Sequence, residues 1–237
     1  DQYTKWSTQV LHPSDIPIAV RRAFKEAKTP PTGPVFISFP WDTMDESADL
    51  NIIPSSQGYF RTRPDADAVS RASQLLAQAD NPILVIGDRV AQSGAAGQVV
   101  RVAEQLGARV YATSFSEMNF PTSHNLYGGI LNTSSPATGR LLAGADVVMA
   151  IGTDVFSSFL YVSEPFLGPQ TKLIHLDNSS EELEKIYPTE VGILADPGAG
   201  LAELADALDQ KMSASNREAA TTRTATWSEQ KRRSDDR

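Results

Sequence analysis

No cysteine occurs among the 237 residues, which removes disulfides, thiolate metal sites and cysteine nucleophiles together and fits a reducing, cytoplasmic setting. Histidine is nearly as scarce. His12, His124 and His175 lie far apart, and none stands at a recognised metal spacing from another histidine or a carboxylate, so a zinc site is not expected. Among them His124, beside Pro121 and Tyr127, reads as a loop-bracing residue before it reads as a general base. Basic residues are in deficit, 21 against 29 acidic, and the formal charge of -8 repels nucleic-acid backbones and anionic membrane faces. No apolar run approaches the ~20 residues that span a bilayer, and the first residues, DQYTKWSTQV, lack the two halves of a signal peptide. Neither G-x-G-x-x-G nor G-x-S-x-G occurs, so the dinucleotide fingerprint and the serine nucleophile elbow are both missing.

What is present is 41% hydrophobic residues, in a chain longer than the ~100 to 150 of a typical domain. Ser14 can cap a helix whose apolar positions, Ile16, Ala19, Val20, Ala23, Phe24 and Ala27, recur at the three and four spacing of one buried face. The prolines of Thr29 to Pro34 stop it near Lys28, and Val35 to Phe39 follows as a short strand. One helix and one strand cannot build a core, so a preceding segment is expected, in keeping with a sequence that starts at Asp1 without methionine. Residues 41–63 turn acidic and then rich in proline, serine and glycine, as an interdomain linker does.

Alternation then sets in. A helix near Asp65 to Gln78 precedes the strand Pro82 to Gly87, a helix from about Gly94 to Leu106 closed by Gly107, the strand Val110 to Ala112, and a long loop from Ser114 to Ser135. A helix from Pro136 to Leu142, strands at Asp146 to Gly152 and Lys172 to Asp177, a short helix from Ser180 to Ile186, a strand at Val191 to Ala195 and a helix from Gly198 to Lys211 complete the pattern. The strands are continuous apolar runs, as when helices cover both faces, so the expected fold is α/β with a doubly wound parallel sheet, Rossmann-like, over 64–212, beside a partial α/β unit at 1–40. The tail 213–237 is polar with one aromatic, Trp227, and reads as linker or poorly ordered helix.

Three positions are candidates for ligand contact. Gly87 opens the stretch Gly87 to Gly97 where a buried strand turns into a helix, and Gly152 ends another strand; either could bring backbone N–H groups to a phosphate, or could make a plain turn. Asp177 closes a third strand, where an acid can hold a ribose hydroxyl or cap a helix through Asp177-Asn178-Ser179-Ser180. Such sites would suit a self-sufficient FAD- or NAD-binding module. Carboxylate runs such as Asp42 to Asp49 and Glu181 to Glu184 read as solvated faces.

Several stretches together resemble a known family. Lys5-Trp6-Ser7 and Asp15-Ile16-Pro17 through Gly33-Pro34-Val35-Phe36-Ile37-Ser38-Phe39-Pro40 resemble the end of the pyrimidine-binding domain of thiamine-diphosphate-dependent enzymes of the benzoylformate decarboxylase and acetolactate synthase type. Asn81 to Gly87, Phe120-Pro121-Thr122-Ser123-His124, Leu141 to Val148 and Ile174-His175-Leu176-Asp177 resemble the central domain of the same family, in the same order.

The resemblance implies a remnant of the pyrimidine-binding domain at 1–40 and a central domain at 64–212, with 213–237 leading toward a diphosphate-binding domain. It implies thiamine diphosphate and Mg2+ in the parent enzyme, a 2-oxo acid substrate, and as partners the rest of that enzyme and further copies, as a dimer or tetramer. The glutamate that activates thiamine and the G-D-G that holds magnesium and diphosphate belong to the two other domains, and no G-D-G occurs here, so no cofactor and no catalysis are expected of this chain alone. FAD, which some relatives bind across the central domain, is not expected given the glycine spacing. At the position of the family's active-site histidine in benzoylformate decarboxylases this sequence has Phe159.

Overall fold

The computed structural model describes residues 3–54, 61–114, 116–117, 119–157 and 160–235. They fall into two compact units, Asp1–Arg61 and Thr62–Arg237.

In the first unit β1 (Trp6–Gln9) and β2 (Val35–Ser38) pair in parallel, Trp6 opposite Val35, with α1 (Ile16–Lys28) between them in the chain. The polar Trp6-Ser7-Thr8-Gln9 run carries no apolar alternation, so β1 is a strand the sequence does not announce. Ser14 does not cap α1. It lies inside a 3-10 turn at Pro13–Asp15, Asp15 takes the cap position without a side-chain bond, and Pro17 sits in the first turn, where its missing N–H costs nothing. Of the expected buried face only Ala23 is buried, while Phe24 is exposed. The stretch read as linker opens with a short helix, α2 (Trp41–Asp45), whose buried Thr43 donates its hydroxyl to the carbonyls of Val10 at 3.4 Å and Leu11 at 3.2 Å.

The second unit contains α3 (Ala66–Ala77), β3 (Pro82–Ile86), α4 (Asp88–Ser93), α5 (Ala96–Leu106), β4 (Arg109–Thr113), β5 (Tyr127–Leu131), α6 (Ala137–Leu142), β6 (Val147–Ile151), β7 (Lys172–Asp177), β8 (Val191–Leu194), α7 (Pro197–Lys211) and α8 (Ala214–Asp235). Its six strands are all parallel, in the order β5-β4-β3-β6-β7-β8. The expected doubly wound α/β sheet is therefore what forms. Every residue of β3 and β6 is buried, and alternate side chains feed two separate cores. Leu84, Ile86, Met149, Ile151, Ile174 and Leu176 pack with α3, α5 and α7 on one face. Ile83, Val85, Val148, Ala150 and Leu173 pack with Leu142 of α6 and with Phe156 and Phe166 on the other. From β3 the chain winds outward to β5, returns to β6 beside β3, and winds the other way, so the order reverses between the carboxyl ends of β3 and β6.

Three elements differ from the sequence pattern. The loop expected over Ser114 to Ser135 contains β5, an edge strand with a register irregularity between Val110 and Tyr111. Two glycines lower its strand propensity; Gly128 is there because a Cβ would stand 2.6 Å from the Tyr111 ring. The helix expected over Ser180 to Ile186 is a run of turns with Glu184 at φ +57°, because Asp177 spends its Oδ1 on the Ser179 N–H at 2.8 Å instead of starting a helix. The polar tail is α8.

Composition misleads about α8 because cations, and little apolar area, dock it. Ser213 and Asn216 exchange bonds at its start, at 3.0 and 3.1 Å. Arg223 donates to the carbonyl of Leu106 at 2.6 Å and to that of Asp80 at 3.3 Å, Lys231 donates to those of Thr122 and His124, and Arg109 lies 4.7 Å over the Trp227 ring. Burial pushes the Arg223 guanidinium below its ordinary value. Among the described residues no helix is long and apolar enough to cross a membrane.

Helices α5 and α7 are bridged on the surface by Arg101, which donates to Asp206 and Asp209, both at 2.8 Å. The Arg101 hydrogen bond, followed by that of Gln105, holds the Asp209 carboxyl below the usual range. A carboxyl depressed in the folded state stabilises it above the unfolded pKa and loses that contribution as pH falls through the folded pKa. Urea midpoints of the wild type and Arg101→Ala should therefore converge as the buffer is acidified below the ordinary aspartate range, and salt should narrow the gap at neutral pH because the site is exposed. A gap independent of both pH and salt would contradict this.

Candidate functional site

The two glycines singled out in the sequence meet at the reversal point. Gly87 N donates to Ile151 O at 3.1 Å, Arg89 N to Gly152 O at 3.1 Å and Gly152 N to Leu176 O at 2.8 Å. A Cβ on Gly87 would stand 2.6 Å from the Thr153 Cβ, and one on Gly152, at φ +57°, would stand 2.9 Å from Val90 N. Glycine is required at both places by close backbone approach, and the amides of both bond the protein itself.

Between these strand ends opens a cleft of about 270 Å³. Gly152 lines it; Gly87 and Asp177 do not. Its walls are mostly hydroxyl and amide side chains, among them Thr113, Ser114, Ser116, Asn132, Ser134 and Thr153, with Asp88, Arg89 and Asp154 as the charged members. Arg89 is the residue that single-position reading passes over. Its Nε lies 3.0 Å and its Nη2 2.8 Å from Asp177 Oδ2, and Nη2 also reaches Asp154 Oδ1 at 2.8 Å. Burial lowers the Arg89 pKa, but the hydrogen bond and charge of Asp177, and then those of Asp154, outweigh it and hold the group above its ordinary value. The cation is permanent and its charge is already answered.

Asp177 is fully buried and serves Arg89 and the Ser179 amide; it caps a turn and not the helix expected there, and both of its oxygens are engaged by the protein. Beside it His175, also buried, donates from Nε2 to the Thr153 carbonyl at 3.1 Å and lies 3.6 Å from Asp177 Oδ2. His124 stands outside the cleft, with Nδ1 accepting from Leu126 N at 3.2 Å, Nε2 facing Glu104 at 3.2 Å and its ring edge-on to Phe120. That is the bracing role expected of it. Phe159 lies outside the described residues.

The sequence signal for Arg89 and Asp154 is positional. Each follows a strand-ending glycine by two residues, on adjacent strands of one sheet edge, so a complementary charge pair there spans the reversal point.

A diphosphate does not fit this cleft. It would meet the carboxylates of Asp88 and Asp154 and a guanidinium already shared by two acids. Among the described residues no group of three or more His, Cys, Asp or Glu is arranged to hold a metal ion. The arrangement can donate and accept hydrogen bonds.

Comparison with known proteins places these features. Residues 69–204 match the model of the thiamine pyrophosphate enzyme central domain. The chain is 29% identical over 175 residues to benzoylformate decarboxylase of Pseudomonas aeruginosa, covering 73% of this chain and 33% of that protein. It is 32% identical over 206 residues to the acetolactate synthase large subunit of Corynebacterium glutamicum, covering 85% of this chain and 33% of that protein. The crystal structure of benzoylformate decarboxylase from Polynucleobacter necessarius superposes with a TM-score of 0.77 at 27% identity, over 86% of this chain and 38% of that one. The chain thus spans about a third of the length of the curated relatives it matches. With a doubly wound sheet of matching topology and a family model over more than half its length, the chain belongs to the thiamine pyrophosphate enzymes, as their central domain.

Proposed function

We propose that this chain is the central portion of a thiamine-diphosphate-dependent 2-oxo acid decarboxylase or carboligase of the benzoylformate decarboxylase kind, contributing architecture, subunit contacts and one wall of the active site, and that it does not catalyse the reaction alone. The observation that carries this reading is the cleft: at the edge where a doubly wound sheet presents ligands, Arg89 is engaged by Asp177 and Asp154, and the other charged side chains among the described residues lining it, Asp88 and Asp154, are acidic. Thiamine diphosphate and Mg2+ are accordingly held in the parent enzyme by segments other than these, and the parent is a dimer or tetramer.

The same chemistry argues against the alternative of a self-sufficient FAD- or NAD-binding module. Gly87 is stacked on Thr153 and cannot offer its backbone to a pyrophosphate. Calorimetric titration of the chain with FAD, NAD and thiamine diphosphate plus Mg2+ is expected to show no saturable binding. A dissociation constant near 1 μM, about -8 kcal/mol, for FAD or NAD would replace this reading with the module.

Phe159 stands for the wall of the active site. A phenyl ring neither accepts nor donates a proton, so a general acid acting there has to be supplied by another group. Phe159→His in the parent enzyme is expected to change relative kcat/KM across aliphatic and aromatic 2-oxo acids with little change in melting temperature. A large stability loss beside an unchanged substrate profile would make Phe159 a packing residue.

A further inference from the structure

The cleft at the reversal point carries an excess of negative charge. Arg89 bonds both Asp154 and Asp177, so one guanidinium already faces two carboxylates. Half-buried Asp88 adds a third: its Oδ1 accepts from the Glu117 N–H at 2.6 Å, an uncharged donor that leaves the charge of the carboxylate unmatched. Lys185 is near enough to feel the charge of Asp154, yet its hydrogen bond to Glu182, at 3.0 Å, answers it first. The hydroxyls lean the same way. Each has one proton to give and two lone pairs. Ser114 donates to Leu131 O at 2.7 Å, Ser116 to Thr113 O at 2.8 Å and Thr133 to Ser157 O at 2.8 Å. All three line the cleft, and with their protons spent on the protein they hold out lone pairs to a ligand.

An exposed carboxylate needs no partner, because water solvates it. What separates this place from an ordinary acidic surface is the set of fixed acceptors beside the unmatched charge, in a hollow of about 270 Å³ at the edge where doubly wound sheets take ligands. We propose that the cleft binds a small organic cation through its ammonium groups, with Asp88 and Asp154 as counter-charges and the hydroxyl oxygens of Ser114, Ser116 and Thr133 accepting its N–H bonds. An ammonium suits the cleft better than a bare metal ion does, since among the described residues no three His, Cys, Asp or Glu are grouped to ligate one. The proposal does not depend on which reaction the parent enzyme runs.

Putrescine is the test ligand, with 1,4-butanediol as its uncharged counterpart and succinate as its anionic one. Amide NMR of the chain at about 0.15 M salt, where diffuse attraction is screened beyond about 8 Å, should show saturable shifts with putrescine, largest at residues 88–89, 113–114 and 152–154. The expected dissociation constant is about 1 mM or below, and neither counterpart should saturate. Asp88→Asn keeps an oxygen for the Glu117 N–H and removes the charge, so it should weaken putrescine binding about tenfold, the loss of one charge-assisted contact. Asp206→Asn, exposed on α7, changes the net charge equally and should leave binding within about twofold of wild type. Absence of saturable shifts with putrescine overturns the proposal. Equal weakening in the two variants does so too, because the attraction is then diffuse, and so does equal binding of 1,4-butanediol, because charge then plays no part. Should Asp88→Asn fail to fold, the wild-type map decides, and shifts centred away from the cleft contradict the proposal.

Discussion

Arg89→Leu is expected to destabilise the second unit by about 3–5 kcal/mol, the cost of leaving a buried carboxylate without its counter-charge. Asp177 is the group at stake, because it has no exposure to water and its remaining bond, to the Ser179 amide, does not neutralise it. Asp154 is not at stake in the same way, since it is half exposed and water solvates it when the guanidinium is removed. The discriminating comparison is the double variant Arg89→Leu with Asp177→Asn. An asparagine carbonyl keeps the Ser179 bond without burying a charge, so the double variant should recover much of the loss and be more stable than Arg89→Leu alone. Urea denaturation of the three variants measures this. A loss below about 1 kcal/mol for Arg89→Leu, in the range of surface ion pairs, would mean that the pair is not a buried one.

A second large effect is expected at Gly107→Ala. Glycine there is left-handed at φ +59°, and a Cβ would stand 2.2 Å from the carbonyl oxygen of Ala220 in α8. The backbone term contributes about 1–2 kcal/mol and the overlap about 1–3 kcal/mol, so a loss of roughly 2–5 kcal/mol follows. The loss should be local. Helix α8 has to move away, and with it go the bonds from Arg223 to Leu106 and from Lys231 to Thr122 and His124. Hydrogen exchange should show protected amides in 214–231 in the wild type and lose that protection in the variant before the strands of the sheet are affected. Protection in α8 that is absent from the wild type, or unchanged in the variant, would contradict the docking described here.

These two predictions mark what was legible in the sequence and what was not. The sheet was legible because β3 and β6 are unbroken apolar runs, which only a layer covered on both faces can bury. Gly107 was legible as a helix terminator, but the reason it is glycine, a carbonyl more than a hundred residues away, is tertiary. β5 was missed, and α8 was read only as linker or poorly ordered helix, for opposite reasons. The first hides two glycines in an edge strand, and the second is docked by Arg223, Lys231 and Trp227 over a surface with almost no apolar stripe. At the site, Gly87, Gly152 and Asp177 were rightly placed on one sheet edge, yet their own amides and oxygens bond the protein itself. Arg89, a charged residue lining the cleft, needed the fold to be seen, because its partners are 65 and 88 residues away in sequence.

The central proposal is that this chain, a thiamine pyrophosphate enzyme central domain, does not run the reaction by itself. Its most direct test is CO2 release from pyruvate and from benzoylformate by the purified chain, supplied with saturating thiamine diphosphate and Mg2+. The account predicts no release above the protein-free background. Steady, cofactor-dependent turnover that scales with the concentration of the chain would contradict it.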